Sequence, residues 1–487
     1  MNITLLQAYH WYYSAEGNLW QYIASQANEY KELGITHAWL PPAYKSAEGT
    51  EEPGYAVYDL YDLGEFDQKG TVRTRYGTKD EYLAAINALH EAGLSVIADV
   101  VLNQRLGGDE WQEVEAQKVN EENRNEKVTE PALKNLPVKF TFNGRGTTYS
   151  DFVWDYNCFS GCCMEDQIWM IRNSHNEDSW ANVPETEKGN FDCVLGFDVE
   201  FRNPYVVEEI KKWGKWYIET TGIDGMRLDA VKHISRDFFP RWIDYIRNCA
   251  GKDMFMVGEY WKHEVGPLVD YIREMEGRMQ LFDAPLHYNF HKASQNEDFD
   301  MRQLTDGTLL QAIPDKAVTF VDNHDTQPLQ SLESWVDYWF KPLAYSFILL
   351  RKEGIPCVFF PDLYDAHYSS KRNGEDVEIN LHRVEMLPQL LKARQFYAYG
   401  EQYDYFDDPK IIGWTRSGEA EQPHSGCAVL LNTAHEEGGK NMFVGEANAN
   451  KTYRDLAGGR TEEIRTDESG HAHFPVNPRS VSVWVQQ

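Results

Sequence analysis

Carboxylic acids stand at three places in the sequence where a short apolar run has just ended. Asp229, Glu259 and Asp325 each follow such a run closely. Apolar runs of this length are typical of buried strands, so each acid is expected just past a strand end. In a parallel α/β barrel the carboxyl ends of the strands form the active site, which would bring the three acids together. Clustered carboxylates disfavour one another's ionisation and are costly for structure alone, so we interpret them as a catalytic site.

Three carboxyl groups at one site could cleave a glycosidic bond. One attacks the anomeric carbon, a protonated one donates to the leaving oxygen, and further negative charge stabilises the oxocarbenium-like transition state. Arg227 lies two residues before Asp229 on the same predicted strand, so it is expected to lower the pKa of the Asp229 carboxyl. Glu259 is flanked by apolar and aromatic residues, which suits a proton donor. For one such acid alone, a solvated loop residue or an ion pair would be the simpler interpretation.

The elements that must position these acids alternate between strands and helices. Strands are predicted at 3–8, 36–40 and 94–102, with helices at 20–33 and 80–92 between them. The alternation resumes with a helix at 206–220 and strands at 222–228, 254–257, 317–321 and 356–360. This order predicts a (β/α)8 TIM barrel, an α/β fold, built from residues 1–102 and 205–396.

Two further segments do not follow the barrel pattern. Residues 103–204 are polar and too long for a structureless loop, so they are predicted to form a domain inserted after the third strand. Residues 397–487 contain short apolar runs at 411–415, 427–431, 452–455 and 481–485, separated by turn residues. This pattern predicts a C-terminal antiparallel β-sandwich domain.

Composition limits the classes of partner. The formal net charge is -30, from 47 basic and 77 acidic residues, which argues against nucleic acid and anionic membranes. The first residues lack the basic and apolar parts of a signal peptide, so a cytoplasmic, monomeric protein is expected. Of the seven cysteines, Cys158, Cys162, Cys163 and Cys193 fall in one segment without zinc spacing. Free thiols are therefore predicted.

The chain resembles the α-amylases of glycoside hydrolase family 13, most closely the bacterial liquefying and cytoplasmic α-amylases. The resemblance covers almost the whole chain and rests on the motifs LLQAYHWY, GYAVYDLYDLGEFDQKG, DVVLNQ, GIDGMRLDAVKHI, VGEYW, FVDNHDTQPLQSLE and SVSVWV. It implies endo-acting hydrolysis of α-1,4-glucosidic bonds in starch, glycogen or maltodextrins with retention of configuration. It further implies that Asp229 is the nucleophile, Glu259 the general acid/base and Asp325 the transition-state stabiliser.

The same resemblance implies a set of substrate-binding residues. They are Tyr55, Gln104, Arg227, Lys232, His233, Trp261 and His324. Gln104 departs from the family pattern, in which a histidine follows the asparagine of the first motif. A glutamine carries no charge and has a different geometry, and a lost transition-state hydrogen bond costs about 1–3 kcal/mol. We therefore expect reduced activity or altered specificity, and a higher rate when Gln104 is replaced with His.

The resemblance also implies one structural calcium ion between the barrel and the inserted domain. Its ligands match Asn103, Asp192, Asp198 and the backbone carbonyl of His233, an oxygen set that suits calcium. Secreted relatives bind further ions through extra aspartates. Here a cysteine stands in the stretch 162–165 where an acid is expected, and Arg202 brings a positive charge. We therefore predict that the additional cation cluster is absent.

Two alternatives remain open at this point. A related enzyme that forms one maltooligosaccharide or transfers glucan chains would use the same acids and differ in its acceptor subsites. A catalytically silent carbohydrate-binding protein on the same scaffold would be expected to lack one of the acids, whereas this chain has all three. In each case the predicted partner is an α-glucan polysaccharide or a maltooligosaccharide.

Overall fold

A computed structural model describes residues 2–164, 167–176 and 178–487. Within them, eight parallel strands close into a barrel in chain order. This confirms the predicted α/β barrel fold class. The strands are Leu5–Gln7 (β1), His37–Leu40 (β2), Ser95–Val100 (β3), Gly225–Leu228 (β4), Phe255–Gly258 (β5), Gln280–Phe282 (β6), Ala317–Phe320 (β7) and Ile355–Phe359 (β8).

Helices surround the barrel and are stopped by local signals in the sequence. They are Leu19–Glu32 (α1), Lys79–Glu91 (α2), Pro204–Thr221 (α3), Phe238–Ala250 (α4), Val265–Glu274 (α5), Ala284–Gln295 (α6), Leu309–Ala312 (α7), Lys341–Leu350 (α8), Phe360–Tyr364 (α9) and Leu387–Phe396 (α10). Thr78 and Glu81 form a capping box at the start of α2. Gly222 ends α3 in the left-handed conformation, which returns the chain to β4.

Most of the segment between β3 and α3 forms a sheet of its own. Its strands, in spatial order, are Gln104–Arg105, Gly196–Val199, Phe159–Met164, Gln167–Ile171, Glu110–Lys118 and Ala132–Lys139. Adjacent strands run antiparallel, and Asp198 lies opposite Gln104. A disulfide joins Cys163 to Cys193, so the prediction of free thiols is wrong for this pair. The two cysteines are distant in sequence and meet because formation of the sheet brings their two segments together.

The C-terminal segment consists of antiparallel sheets, which confirms the class predicted for it. One sheet contains, in spatial order, Gln402–Tyr405, Ile411–Arg416, Cys427–Asn432, Ser480–Gln486, Thr452–Asp455 and Ile464–Arg465. A second pair, Gly438–Phe443 and His471–Val476, packs against it through a buried cluster that includes Met442, Phe474 and Trp484.

Two hairpins complete the architecture on the barrel side. Lys45–Ser46 pairs with Val57–Asp59 after β2, and Ala366–Arg372 pairs with Glu375–Leu381 after β8. Both follow the carboxyl ends of barrel strands, the edge at which barrel enzymes place their active sites. None of the helices in the described ranges is long and apolar enough to cross a membrane.

Candidate active site

The three predicted catalytic acids lie at the carboxyl ends of β4, β5 and β7. Asp229 and Glu259 directly follow β4 and β5, and the register pairs Leu228 with Gly258. The Glu259 amide also donates to the Leu228 carbonyl at 2.9 Å, so the two acids leave the barrel side by side. Asp325 follows β7 after a short turn in which its own amide donates to Asn323 Oδ1 at 2.9 Å. The structure therefore brings these acids to one mouth of the barrel.

A buried arginine joins the acids. Arg227 Nη1 lies 2.9 Å from Asp99 Oδ1 and 2.6 Å from Asp229 Oδ1, and Nη2 lies 2.9 Å from Glu259 Oε2. The Ala230 amide also donates to Glu259 Oε2, at 3.0 Å. Charge-assisted hydrogen bonds of this kind are strong, and they also fix the orientation of the carboxyl groups, because the guanidinium is rigid and planar. Arg227 thus orients both carboxyl groups from below.

Asp99 is part of this cluster and was missed from the sequence. Its Oδ1 accepts from Arg227, and its Oδ2 accepts from Tyr9, Tyr55 and Trp39 at 2.9–3.1 Å. The sequence did indicate a special role for Asp99. An aspartate inside the apolar run of β3 is costly to bury without charged or hydrogen-bonding partners. Asp99 anchors Arg227 and the Tyr55 hydroxyl to the barrel wall.

Burial dominates the protonation of the site. It raises the pKa of Asp229 well above its usual range, and Glu259, Asp99 and Asp325 act in the same direction. Arg227 lowers that pKa, as expected from the sequence, but the net direction is opposite to the expectation because the carboxyl is taken out of water. Burial and the Glu259 carboxylate likewise raise the pKa of Asp325 to about 7. The cluster therefore tends to retain a proton near neutral pH.

Aromatic rings form the wall of the site beside Asp325. The ring of Tyr55 lies nearly parallel to those of Trp11 and His324, with centroids 5.3 and 5.2 Å away. His324 Nε2 is 3.3 Å from Asp325 Oδ2. Burial and the charge of Arg227 lower the pKa of His324 well below its usual range, so the ring is neutral. Trp11 and Gln7, which contacts His324, were not among the predicted site residues.

Gln104 lies next to Tyr55 with its amide partly engaged. Its Nε2 donates to the Tyr55 carbonyl at 3.0 Å. Its Oε1 is buried and has no hydrogen-bond partner within the described part of the chain. Its Oε1 is thus an unpaired acceptor, which a sugar hydroxyl could satisfy, and its Nε2 keeps a second N–H. A histidine in its place would offer a ring N–H.

Lys232, His233 and Trp261 lie together beyond Glu259. Lys232 Nζ donates to the Trp261 carbonyl and to Glu185 Oε2, each at 2.9 Å. Burial opposes ionisation of Glu185, but the Glu187 amide and Lys232 prevail and lower its pKa to about 2. Glu185 belongs to the inserted segment, so this ion pair ties that segment to the barrel.

Three of the four predicted calcium ligands, Asn103, Asp192 and Asp198, are buried near the junction between the barrel and the inserted sheet. Asn103 Nδ2 donates to Asp198 Oδ1 at 3.3 Å, while Asn103 Oδ1 is buried and unpaired within the described residues. Burial raises the pKa of Asp192 to about 7, and burial together with Asp192 raises that of Asp198. The ring of His233 contacts Phe191, which precedes Asp192. An unpaired oxygen on a side chain that contacts the buried Asp198, which in turn feels the charge of the buried Asp192, fits a hard cation.

Among the described residues, no three His, Cys, Asp or Glu side chains lie together in a way that could hold a metal. The proposed calcium ligands are two aspartates, an asparagine and a carbonyl, so this result does not bear on them. Glu165, in the stretch considered for extra ions, lies outside the described residues. Arg202 is bound to the buried Glu200 at 2.6 and 2.7 Å and donates to the Ser179 carbonyl at 2.9 Å.

A closed α/β barrel with carboxylates around a buried arginine at its carboxyl-terminal mouth defines a glycoside-hydrolase type of site. Residues 15–362 match the family described as alpha amylase, catalytic domain, and residues 427–485 match the alpha-amylase C-terminal family. The chain therefore belongs to the α-amylase family of glycoside hydrolases, family 13, and is an α-glucan hydrolase of that family.

Individual relatives agree over the full length. The chain is 47% identical to a cytoplasmic α-amylase of Escherichia coli (strain K12), covering 99% of both chains. It is 42% identical to a glucan 1,4-alpha-maltohexaosidase of Bacillus sp. (strain 707), covering 100% of this chain and 93% of the relative. The crystal structure of an α-amylase from Geobacillus thermoleovorans complexed with acarbose has a TM-score of 0.66 at 18% identity, covering 100% and 98% of the two chains.

Proposed function

We propose that the chain hydrolyses internal α-1,4-glucosidic bonds of starch, glycogen or maltodextrins by a retaining double displacement. The observation that carries the proposal is the shared guanidinium: Arg227 donates to Asp229 at 2.6 Å and to Glu259 at 2.9 Å. Two carboxyl groups held side by side suit a retaining enzyme, in which nucleophile and acid act on the same bond without a water between them.

In this mechanism Asp229 attacks the anomeric carbon while Glu259 protonates the leaving oxygen. Glu259 then takes a proton from water, which releases the sugar from Asp229. Arg227 keeps both carboxyl groups aligned through the two steps, because its contacts are made to one oxygen of each. Asp325, once ionised, supplies negative charge to the oxocarbenium-like transition state.

Substrate would lie across these acids in an extended groove. Tyr55, Gln104 and His324 would bind the sugar whose bond is cleaved, with Gln104 accepting from a hydroxyl. Lys232, His233 and Trp261 would line the leaving-group side. The ion pair of Lys232 with Glu185 would hold the inserted segment against that side of the groove.

The proposal is tested by Asp229→Asn and Glu259→Gln, which keep the shape of each side chain and remove its chemistry. Each variant is expected to lose about a thousandfold or more in kcat on soluble starch while still binding maltooligosaccharides. Asp151→Asn, at an exposed acid, is the matched control and should hydrolyse at the wild-type rate. Proton NMR of the first products should detect the α-anomer. Products that are initially β would overturn the retaining mechanism.

A second candidate is an enzyme that releases one defined maltooligosaccharide. The maltohexaosidase relative, which is 42% identical, favours it. Sizing the products of starch digestion over time separates the two. Internal cleavage at random gives a mixture of lengths and a rapid loss of viscosity, whereas a single early product would favour the second candidate.

We also propose one bound calcium ion, held by Asn103, Asp192, Asp198 and the His233 carbonyl. Calcium would neutralise two buried carboxylates and fix the inserted segment to the barrel. No further cation cluster is expected, because the guanidinium of Arg202 already pairs with the buried Glu200. The name of the E. coli relative supports a cytoplasmic location, and we propose that the protein acts there as a monomer.

A further inference from the structure

We propose that Gln7 is a positioning residue that holds His324 in the tautomer carrying its proton on Nε2. That proton faces Asp325 and the sugar to be cleaved. The inference rests on the proposed roles of His324 and Asp325. By this proposal β1 not only forms part of the barrel wall but also determines which nitrogen of His324 can donate a hydrogen bond.

Gln7 is the last residue of β1 and is almost fully buried. Its register partners are Trp39 on β2 and Phe359 on β8, so its backbone is fixed on both sides. Its Nε2 lies 2.9 Å from His324 Nδ1, and its exposed fraction is 1%. A glutamine amide locked between two strands is well placed to orient a neighbouring ring.

The direction of this hydrogen bond follows from the other side of the ring. His324 Nε2 is 3.3 Å from Asp325 Oδ2, and above the pKa of Asp325 its carboxylate can only accept. The proton of a neutral imidazole must then be on Nε2, which leaves Nδ1 as an acceptor. Nδ1 needs a donor, and the amide N–H of Gln7 supplies it.

The surroundings of the ring favour this neutral state. The charged and titratable groups that face it are Asp325, Arg227, Tyr9 and Tyr55. Arg227 opposes a second proton on the ring, as does the burial of His324. Gln7 presents an uncharged amide and adds no carboxylate that would attract one.

A neutral donor has a specific advantage at this place. Positive charge develops on the sugar in the transition state, and an imidazolium beside it would be repelled. A neutral Nε2–H can donate to a hydroxyl without adding positive charge and without neutralising Asp325. The Nδ1–H tautomer would instead turn a lone pair toward Asp325 and the substrate.

The primary test reads the tautomer directly. Long-range proton–nitrogen correlation spectra of the full chain, with isotope-labelled histidine, distinguish protonated from unprotonated ring nitrogens. The spectrum of a His324→Gln variant identifies the signals of His324 by their loss. At a pH above the pKa of Asp325, the wild-type ring should carry its proton on Nε2 alone. A proton on Nδ1, or on both nitrogens, would overturn the proposal.

Two substitutions separate positioning from structure. Gln7→Met has a similar shape and no donor, so the Nδ1–H tautomer should appear and kcat should fall about tenfold to a hundredfold, with a smaller change in KM. Gln7→Glu offers only an acceptor and a negative charge, so it should raise the pKa of His324. Its activity should then be low at low pH, where the charged ring repels the positive charge that develops on the sugar, and low at high pH, where the neutral ring keeps its proton on Nδ1.

Thr319→Val is the matched control, because Thr319 is buried on β7 and its hydroxyl has no partner in the described structure. It should leave both the tautomer and kcat unchanged. A Gln7→Met enzyme with the wild-type tautomer and kcat would refute the role of Gln7. If that variant does not fold, the wild-type spectrum and the Gln7→Glu pH profile still test the role of Gln7. Since the tautomer is read without substrate, it is independent of the Asp229→Asn result.

Discussion

At the scale of single residues, the site concentrates more negative charge than its arginine neutralises. Arg227 contacts Asp99, Asp229 and Glu259, and Asp325 adds a further carboxyl whose pKa burial raises to about 7. Asp325 is expected to cost stability at any pH where it is ionised in the folded state, because its unfolded-state pKa is near the usual value. The catalytic role proposed for Asp325 and the stability of the protein therefore make opposing demands on the same side chain.

Asp325→Asn should therefore stabilise the protein while abolishing hydrolysis. The folded-state pKa is raised, so the folded chain binds the extra proton and its stability falls as pH rises from about 4 toward 7. The gain from Asn is expected to be about 2 kcal/mol at pH ~8 and smaller at pH ~5. Urea unfolding at the two pH values measures it. Equal gains at both, or a loss at pH ~8, would contradict the assignment.

Gln104 makes a second residue-scale prediction. Its Oε1 is unpaired and one N–H of its Nε2 is engaged by the Tyr55 carbonyl, so we expect it to offer the sugar an acceptor where a family histidine would offer a ring N–H. Gln104→His should raise kcat/KM on maltooligosaccharides about tenfold, equivalent to one added transition-state hydrogen bond. Gln104→Leu, which offers neither group, should lower it. An unchanged or lower rate for the histidine variant would show that the glutamine is already the better partner.

At the scale of elements, Arg202 connects two parts of the inserted segment. It pairs with Glu200, whose side chain is fully buried, and donates to carbonyls of Asn176, Ser179 and Trp180. The positive charge thus lies inside a ring of oxygens that would otherwise need another cation. This arrangement explains in physical terms why an additional ion is not expected beside it.

Arg202→Ala should destabilise the protein by about 3 kcal/mol, because it leaves the Glu200 carboxylate buried and unpaired. The double variant Glu200→Gln/Arg202→Gln should recover part of the loss. Arg383→Ala is the matched control, since Arg383 also pairs with a glutamate two residues away but on the exposed surface. It should cause no measurable change. Thermal unfolding ranks the variants, and equal effects of the two alanine substitutions would refute the role of Arg202.

Strong local patterns allowed most barrel elements to be predicted. The apolar run at 317–321 gave β7 to within one residue, and the helix at 80–92 was found because its helical pattern is closed by Gly93. Strand β6 was missed because three residues show no periodicity. In the inserted segment, Glu110–Lys118 carries mostly polar residues on its exposed face, so its strand was hidden as well.

Site residues that belong to a recognisable sequence motif could be predicted, whereas those brought to the site only by folding could not. Asp229, Glu259 and Asp325 follow apolar runs and were found in this way. Gln7 was missed because its contact is with His324, which follows the seventh strand. The two residues meet at the barrel mouth but are far apart in sequence. The net direction of the Asp229 pKa was also missed, because burial is a property of the folded site and not of the residue two positions away.

At the scale of the whole molecule, two of the charged junctions between the barrel and the inserted segment differ in kind. One is the pair Lys232–Glu185, which is complete within the chain. The other places Asp192 and Asp198, both buried, beside the unpaired oxygen of Asn103. Burial raises the pKa of both aspartates, so a cation that binds their ionised forms should stabilise the folded protein, and its stability should depend on the proposed calcium ion.

Removal of calcium with a chelator should lower the unfolding temperature, and added calcium should restore it in a concentration-dependent manner. A ligand that binds only the folded state contributes about 2.7 kcal/mol at a hundredfold excess over its Kd. Asp198→Asn removes one ligand charge, so its unfolding temperature should respond much less to calcium. Elemental analysis of the washed protein should find one calcium per chain, since Arg202 substitutes for a further cation. Two or more ions per chain would refute the single site, and an unfolding temperature indifferent to chelation would refute the calcium ion itself.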